Sequence, residues 1–300
     1  MNNPYQQPMP AWPTLQAYAS QVILPDGLHL HCYDSAGSGE PVFLLIHGLG
    51  DEADTWRGVF PALAQHGRVI APDMPGFGRS DKPKTAYTIM YFCRVLLALM
   101  DQLQVERATL AGHSMGAVIA HQLALENPPR VSRLALLSGS LVASVTRLDL
   151  GTLLFLIPGL GEWMYNRLRR DPQAAFRTLA PYYRSLDGLP QAERDFLFQR
   201  VNQRVWSDDQ RDAFLSALRG LAGWAPGQQK TLPVRLPGVV VPTLAVWGAA
   251  DRINSIENGR LLARLQPSAR LVEIPGAGHN LHQEDPQAVI KILEDWLAPG

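Results

Sequence analysis

Two cysteines in 300 residues, Cys32 and Cys93, give no disulfide framework, and no CxxC or Cys/His spacing around them suggests a zinc site. Both read as reduced structural thiols. Charge of one sign is also missing: 27 basic side chains meet 27 acidic ones, so no overall field draws in nucleic acid or an anionic membrane. No apolar run approaches the roughly 20 residues that span a bilayer. The most apolar window, LGTLLFLIPGLG from Leu150, is short, contains Pro158, and is expected to be buried or to face substrate. The opening MNNPYQQPMPAWP lacks a basic start followed by an apolar stretch, so no secretory leader is read there. The expectation is a cytoplasmic protein with no stable membrane anchor.

What the chain has in plenty is apolar surface. At 46% hydrophobic residues, a core large enough to do without disulfides or metals is expected. ASQVILP and GLHLHCYDS flank the turn Pro25-Asp26-Gly27 and read as a hairpin. PVFLLIHG is continuous rather than alternating, the mark of a strand covered on both faces. RVIAPD, RATLAG, RLALLSG, PTLAVWG and LVEIPG repeat that character, with helical stretches starting at Thr88, Ser114, Ile256 and Pro286 between or after them. Strands alternating with helices predict a mostly parallel, doubly wound α/β sheet. From Leu141 to Pro237 strand signals vanish and helical patterns take over, among them a capping-box spacing at Ser207 and Gln210. The resulting division is a mobile tail over 1–18, a core over 19–140 and 238–300, and a helical cap over 141–237. The cap leaves the sheet at the edge where ligands bind in open α/β folds, so it is expected to roof a site.

Chemistry concentrates in LAGHSMGAVIAH, residues 110–121, where a serine stands between two glycines as a strand gives way to a helix. In that setting Gly-x-Ser-x-Gly is a nucleophile elbow, although Ser114 as a plain helix cap is the bland alternative. A serine hydroxyl needs an imidazole to take its proton, and the imidazole needs a carboxylate to fix its tautomer. His279, after LVEIP, and Asp251, after PTLAVWG, sit at strand ends on the same edge as Ser114. Rivals are His282 as base and Asp149 as acid. Backbone amides of Met115 and Leu49, the latter in His47-Gly48-Leu49-Gly50, are the expected oxyanion donors. His47, His113 and His121 read as structural.

HGLGDEADTW, DMPGFGRSDKP, GHSMG, WGAAD and GAGH, in that order, resemble the motif set of the α/β-hydrolase superfamily. The resemblance implies a sheet of about eight strands with a lid. It places Ser114, Asp251 and His279 as nucleophile, acid and base, with Leu49 and Met115 as oxyanion donors. Relatives that open epoxides or remove halide carry Asp at the elbow, and this chain has Ser. Relatives that cleave carbon–carbon bonds commonly carry Asn before that serine and Trp after the histidine, where this chain has His113 and Asn280.

The leading expectation is a serine esterase or lipase-like enzyme acting on a small ester with an apolar acyl or aryl group. It would need no cofactor, metal or nucleic acid. Trp56, Phe155, Trp163 and Trp206 are candidates to line its substrate pocket. Carbon–carbon hydrolysis, lyase or cofactor-free haloperoxidase chemistry with the same three residues, and a ligand receptor on the same fold, are the alternatives.

Overall fold

Among the residues that the computed structural model describes, 3–37, 40–143 and 150–298, eight strands pair into one sheet. They are β1 Ala19–Ile23, β2 His29–Asp34, β3 Val42–Ile46, β4 Arg68–Pro72, β5 Ala108–His113, β6 Val131–Leu137, β7 Thr243–Gly248 and β8 Ala269–Ile274. Their spatial order is β1-β2-β4-β3-β5-β6-β7-β8. β1 and β2 form the expected hairpin, β2 meets β4 antiparallel, and every later pair is parallel.

The all-apolar strands are explained by their two covered faces. In β3, Val42, Leu44 and Ile46 join one core cluster while Phe43 and Leu45 join another across the sheet. Helices α1 Phe60–Leu63, α2 Ile89–Gln102 and α3 Met115–Glu126 follow β3 to β5 in the chain. α2 and α3 cover the first face, with Phe92, Leu96, Ile119 and Leu123 in its core, and α1 covers the second through Phe60 and Leu63. Because β4 and β5 flank β3 on opposite sides, the strand order reverses there. The carboxyl ends of β3 and β5 thus lie side by side at the edge where ligands bind in open α/β folds.

Between β6 and β7 the described residues contain no strand. They form α4 Leu150–Phe155, α5 Leu160–Arg167, α6 Pro172–Arg177, α7 Gln191–Val205, α8 Asp208–Gln229 and α9 Leu232–Arg235. The chain then completes the sheet with α10 Ile256–Leu265, α11 Leu281–Glu284 and α12 Pro286–Leu297. Asp285 caps α12 through a bond from the Ala288 amide, and Pro286 occupies its first turn. At α8 only half of the expected capping box forms: the Ser207 hydroxyl accepts from the Gln210 amide, while the Gln210 side chain is buried and does not return to Ser207.

One expectation is corrected at the N-terminus, where a mobile tail was predicted. Leu15 is fully buried in the second core cluster, the Trp12 ring meets Phe196 edge-on, and the Trp12 amide donates to Asp54 at 2.7 Å. The carbonyl of Pro10 accepts from Arg200. The Pro- and Gln-rich composition hid a few large side chains that dock the segment onto α7. Both cysteines are buried and free. No helix among the described residues is long and apolar enough to cross a membrane.

Candidate active site

The turn after β5 brings Ser114 to φ 53° and ψ −118°, a conformation that costs an L-residue energy and lifts its hydroxyl off the sheet. Two glycines make this turn possible. A Cβ on Gly116 would stand 2.1 Å from the Ile46 carbonyl oxygen, and one on Gly112 would stand 2.3 Å from that of Gly116. The Ser114 side chain does not cap α3, so the bland reading of the motif fails on geometry.

Ser114 Oγ lies 2.9 Å from His279 Nε2, and His279 Nδ1 lies 2.8 Å from Asp251 Oδ2. With an ionised carboxylate, Nδ1–H donates to Asp251 and Nε2 is left to accept from the serine hydroxyl. Asp251 follows β7, where its other oxygen accepts from the Ile253 and Asn254 amides, each at 2.8 Å. His279 and Asp251 side chains are buried, which keeps water from competing for these bonds.

The turn after β3 closes the other wall. A Cβ on Gly48 would come within 3.3 Å of Ser114 Cβ, so Leu49 and Gly50 sit beside the elbow. Among the described residues no hydrogen bond takes up the Leu49 or Met115 amide, and the latter is the first residue of α3. His47 fixes this turn: its Nδ1 donates to the Gly48 carbonyl at 2.8 Å and its Nε2 accepts from the Met74 amide at 2.8 Å. Asp51 and Glu52 in the same turn accept from Arg204 of α7 at 2.7 and 2.9 Å. Arg200 Nε lies 3.1 Å from Glu52, off the line of a hydrogen bond, and its other nitrogen reaches Asp54.

The remaining histidines play other parts. His113 lies behind His279 with ring centroids 4.9 Å apart, and its Nε2 donates to the His279 carbonyl at 3.0 Å. Burial, with His279 alongside, pushes its pKa down to about 3. His121 is held by Gln266 and the Leu141 amide, and burial lowers it to about 4. The rival base His282 has its ring 4.4 Å from that of His113 at a 48° tilt, bonds Thr55, and is depressed by burial and by His113. It does not touch Ser114. Asp149, the rival acid, lies outside the described residues.

Of the four aromatic pocket candidates, Trp56, Trp163 and Trp206 are not where the expectation placed them. Trp56 is fully buried in the second core cluster, stacked on His282. Phe155 packs against a core cluster with Tyr165, Val201 and Phe214. Trp163 is 55% exposed beneath the Arg167 guanidinium. Trp206 sits under Arg169 and lines a surface cavity with Gln7 and Arg79. Large aromatics dominate packing wherever they fall, so their presence in a helical segment did not specify a direction.

Two other side chains stand closer, Tyr182, one of the aromatics of the strandless segment, and Phe214. Tyr182 has its ring 5.8 Å from that of His279, and its carbonyl accepts from the Asn280 amide at 2.9 Å. Phe214 of α8 lies over Gly50, where an added Cβ would meet its ring at 2.9 Å. Glu284 ties the two segments together, accepting from the amides of Gly278 and Arg184. Only the spacing of Gln210, Phe214 and Ala217 on one face of α8 hinted at this.

A family model described as the alpha/beta hydrolase fold matches residues 41–286. The chain is 31% identical over 278 residues to an uncharacterized protein of Mycobacterium bovis, covering 87% of this chain and 76% of that one. It is also 31% identical over 287 residues to the 2-hydroxy-6-oxononadienedioate/2-hydroxy-6-oxononatrienedioate hydrolase of Cupriavidus pinatubonensis, covering 92% and 94%. Among solved structures, Cfl2 of Burkholderia cenocepacia superposes with a TM-score of 0.79 at 24% identity, over 93% of this chain and 95% of its own.

Proposed function

The chain belongs to the α/β-hydrolase family, and from that premise we propose that it is a serine hydrolase of carboxylic esters. What carries the reading is the unbroken line of hydrogen bonds from Asp251 through His279 to Ser114. His279 takes the hydroxyl proton as Ser114 Oγ attacks the ester carbonyl, and Asp251 stabilises the imidazolium that results. The Leu49 and Met115 amides receive the negative oxygen of the tetrahedral intermediate. As the carbon–oxygen bond breaks, His279 returns the proton to the leaving alcohol; it then takes a proton from water, which releases the acid from the acyl-enzyme. The helices of residues 150–235 act as the cap, with Tyr182 and Phe214 as the side chains it contributes over His279 and Gly50. No metal or organic cofactor enters this cycle.

The likeness to the Cupriavidus hydrolase favours a second reading, cleavage of a carbon–carbon bond in a vinylogous keto acid by the same residues. A panel of chromogenic acyl and aryl esters set beside such a keto acid separates the two. The ester reading expects turnover across several esters, lowered on the order of 10⁴-fold or more in Ser114→Ala. Turnover of the keto acid alone would replace it with the second reading.

A further inference from the structure

The apolar window from Leu150 is neither wholly buried nor turned to substrate. It folds into α4, a turn and the start of α5, and the inner side of this hairpin has partners. Phe155 and Tyr165 pack with Phe214, while Arg219 of α8 donates to the Leu156 carbonyl at 3.1 Å and pairs with Glu162 at 2.9 Å. Among the described residues the outer side has no such cover. Leu153, Ile157 and Trp163 are 44%, 48% and 55% exposed. In α5, Gly161 and Tyr165 point inward, so Trp163 and Arg167, two positions on from each, form the outward stripe.

Charge says what partner this face fits. Residues 150–177 hold four arginines against two acids. Glu162 is bound to Arg219, Arg169 pairs with Asp208, and Asp171 both caps α6 and pairs with Arg177, so among the described residues Arg167 and Arg170 are the two arginines of this stretch with no acidic partner. Arg167 stands 4.9 Å over the Trp163 ring, and Arg170 is exposed just beyond. Leucine, isoleucine and tryptophan edged by arginine match the boundary between acyl chains and anionic headgroups. Overall neutrality conceals this local excess of positive charge.

We propose that the α4–α5 hairpin docks reversibly on an anionic lipid bilayer. A single short hairpin supplies too little apolar area for a permanent anchor, so the contact is peripheral. On its inner side the hairpin shares a core cluster with Phe214, the residue that lies over Gly50. Docking therefore presents the site to substrates held in the bilayer, a consequence that rests on the ester reading, whereas the docking itself does not.

Co-sedimentation of the full chain with phosphatidylcholine vesicles, with and without phosphatidylglycerol, tests this. Binding is expected with phosphatidylglycerol and weakly or not at all without it. Leu153→Ser with Ile157→Ser should abolish it while turnover of a short, water-soluble ester is unchanged. Arg170→Ser should weaken it about fivefold, the effect of one interfacial charge. No binding to either vesicle, equal binding to both, or undiminished binding by the double serine variant would overturn the proposal without touching the ester reading. Binding by a chain that hydrolyses no ester would overturn that reading and leave this one standing.

Discussion

At the scale of single residues, the question is why one of three neighbouring imidazoles is suited to the proposed role of base. The His113 ring centroid lies 4.9 Å from that of His279 and 4.4 Å from that of His282, at tilts of 57° and 48°, yet only His279 reaches Ser114 and a carboxylate at once. His113 and His282 are held neutral by burial, which keeps positive charge out of the group until His279 acquires its proton. We expect His279→Gln to lower kcat by about 10⁴-fold and His282→Gln to lower it by less than about tenfold, as steady-state kinetics on one ester would show. A loss of equal size in both variants would make His282 the base or its indispensable partner. That Ser114, Asp251 and His279 would meet was legible because a turn motif and two strand ends fix position independently of packing. The choice of pocket aromatics was not, since whether a tryptophan faces a crevice, a core or solvent depends on how helices meet.

At the scale of elements, the turn after β3 is the joint on which the site depends. It carries the Leu49 amide, and Glu52 and Asp54 just beyond it are buried against Arg200 and Arg204 of α7. Removing one partner from a buried ionic cluster leaves the others desolvated and unpaired. Arg200→Met is accordingly expected to cost about 3 kcal/mol of stability, read from urea unfolding. A change under about 1 kcal/mol would mean that Arg79 and Arg204 neutralise these acids unaided. Nothing in the spacing of DEAD at residues 51–54 or of the arginines in α7 revealed this pairing, because long-range ion pairs leave no periodicity. Strands and flanking helices, by contrast, were readable element by element, since burial on two faces writes a continuous apolar run and burial on one writes a stripe.

At the scale of the whole molecule, the fold holds several histidines in a state that acid opposes. His113 and His121, near 3 and 4 when folded, return to about 6.5 in the unfolded chain. Between those values the unfolded state binds more protons, so stability is full above pH about 6.5 and is lost as pH falls toward 4. The urea midpoint should drop across that window by an amount worth a few kcal/mol, with a shallower slope in His121→Gln; an unchanged slope would mean that His121 is charged in the folded protein. The sheet brings residues 114, 251 and 279 to one edge from three separate strand ends, and the proposed activation of the serine oxygen rests on that convergence. Labelling with a fluorophosphonate, followed by peptide mass spectrometry, tests it most directly, because the reagent loses fluoride only to an activated hydroxyl. One phosphonyl adduct, on Ser114, is predicted for the native chain and almost none for His279→Ala. An adduct on another residue, or equal labelling of Ser114 without the imidazole, would contradict the account.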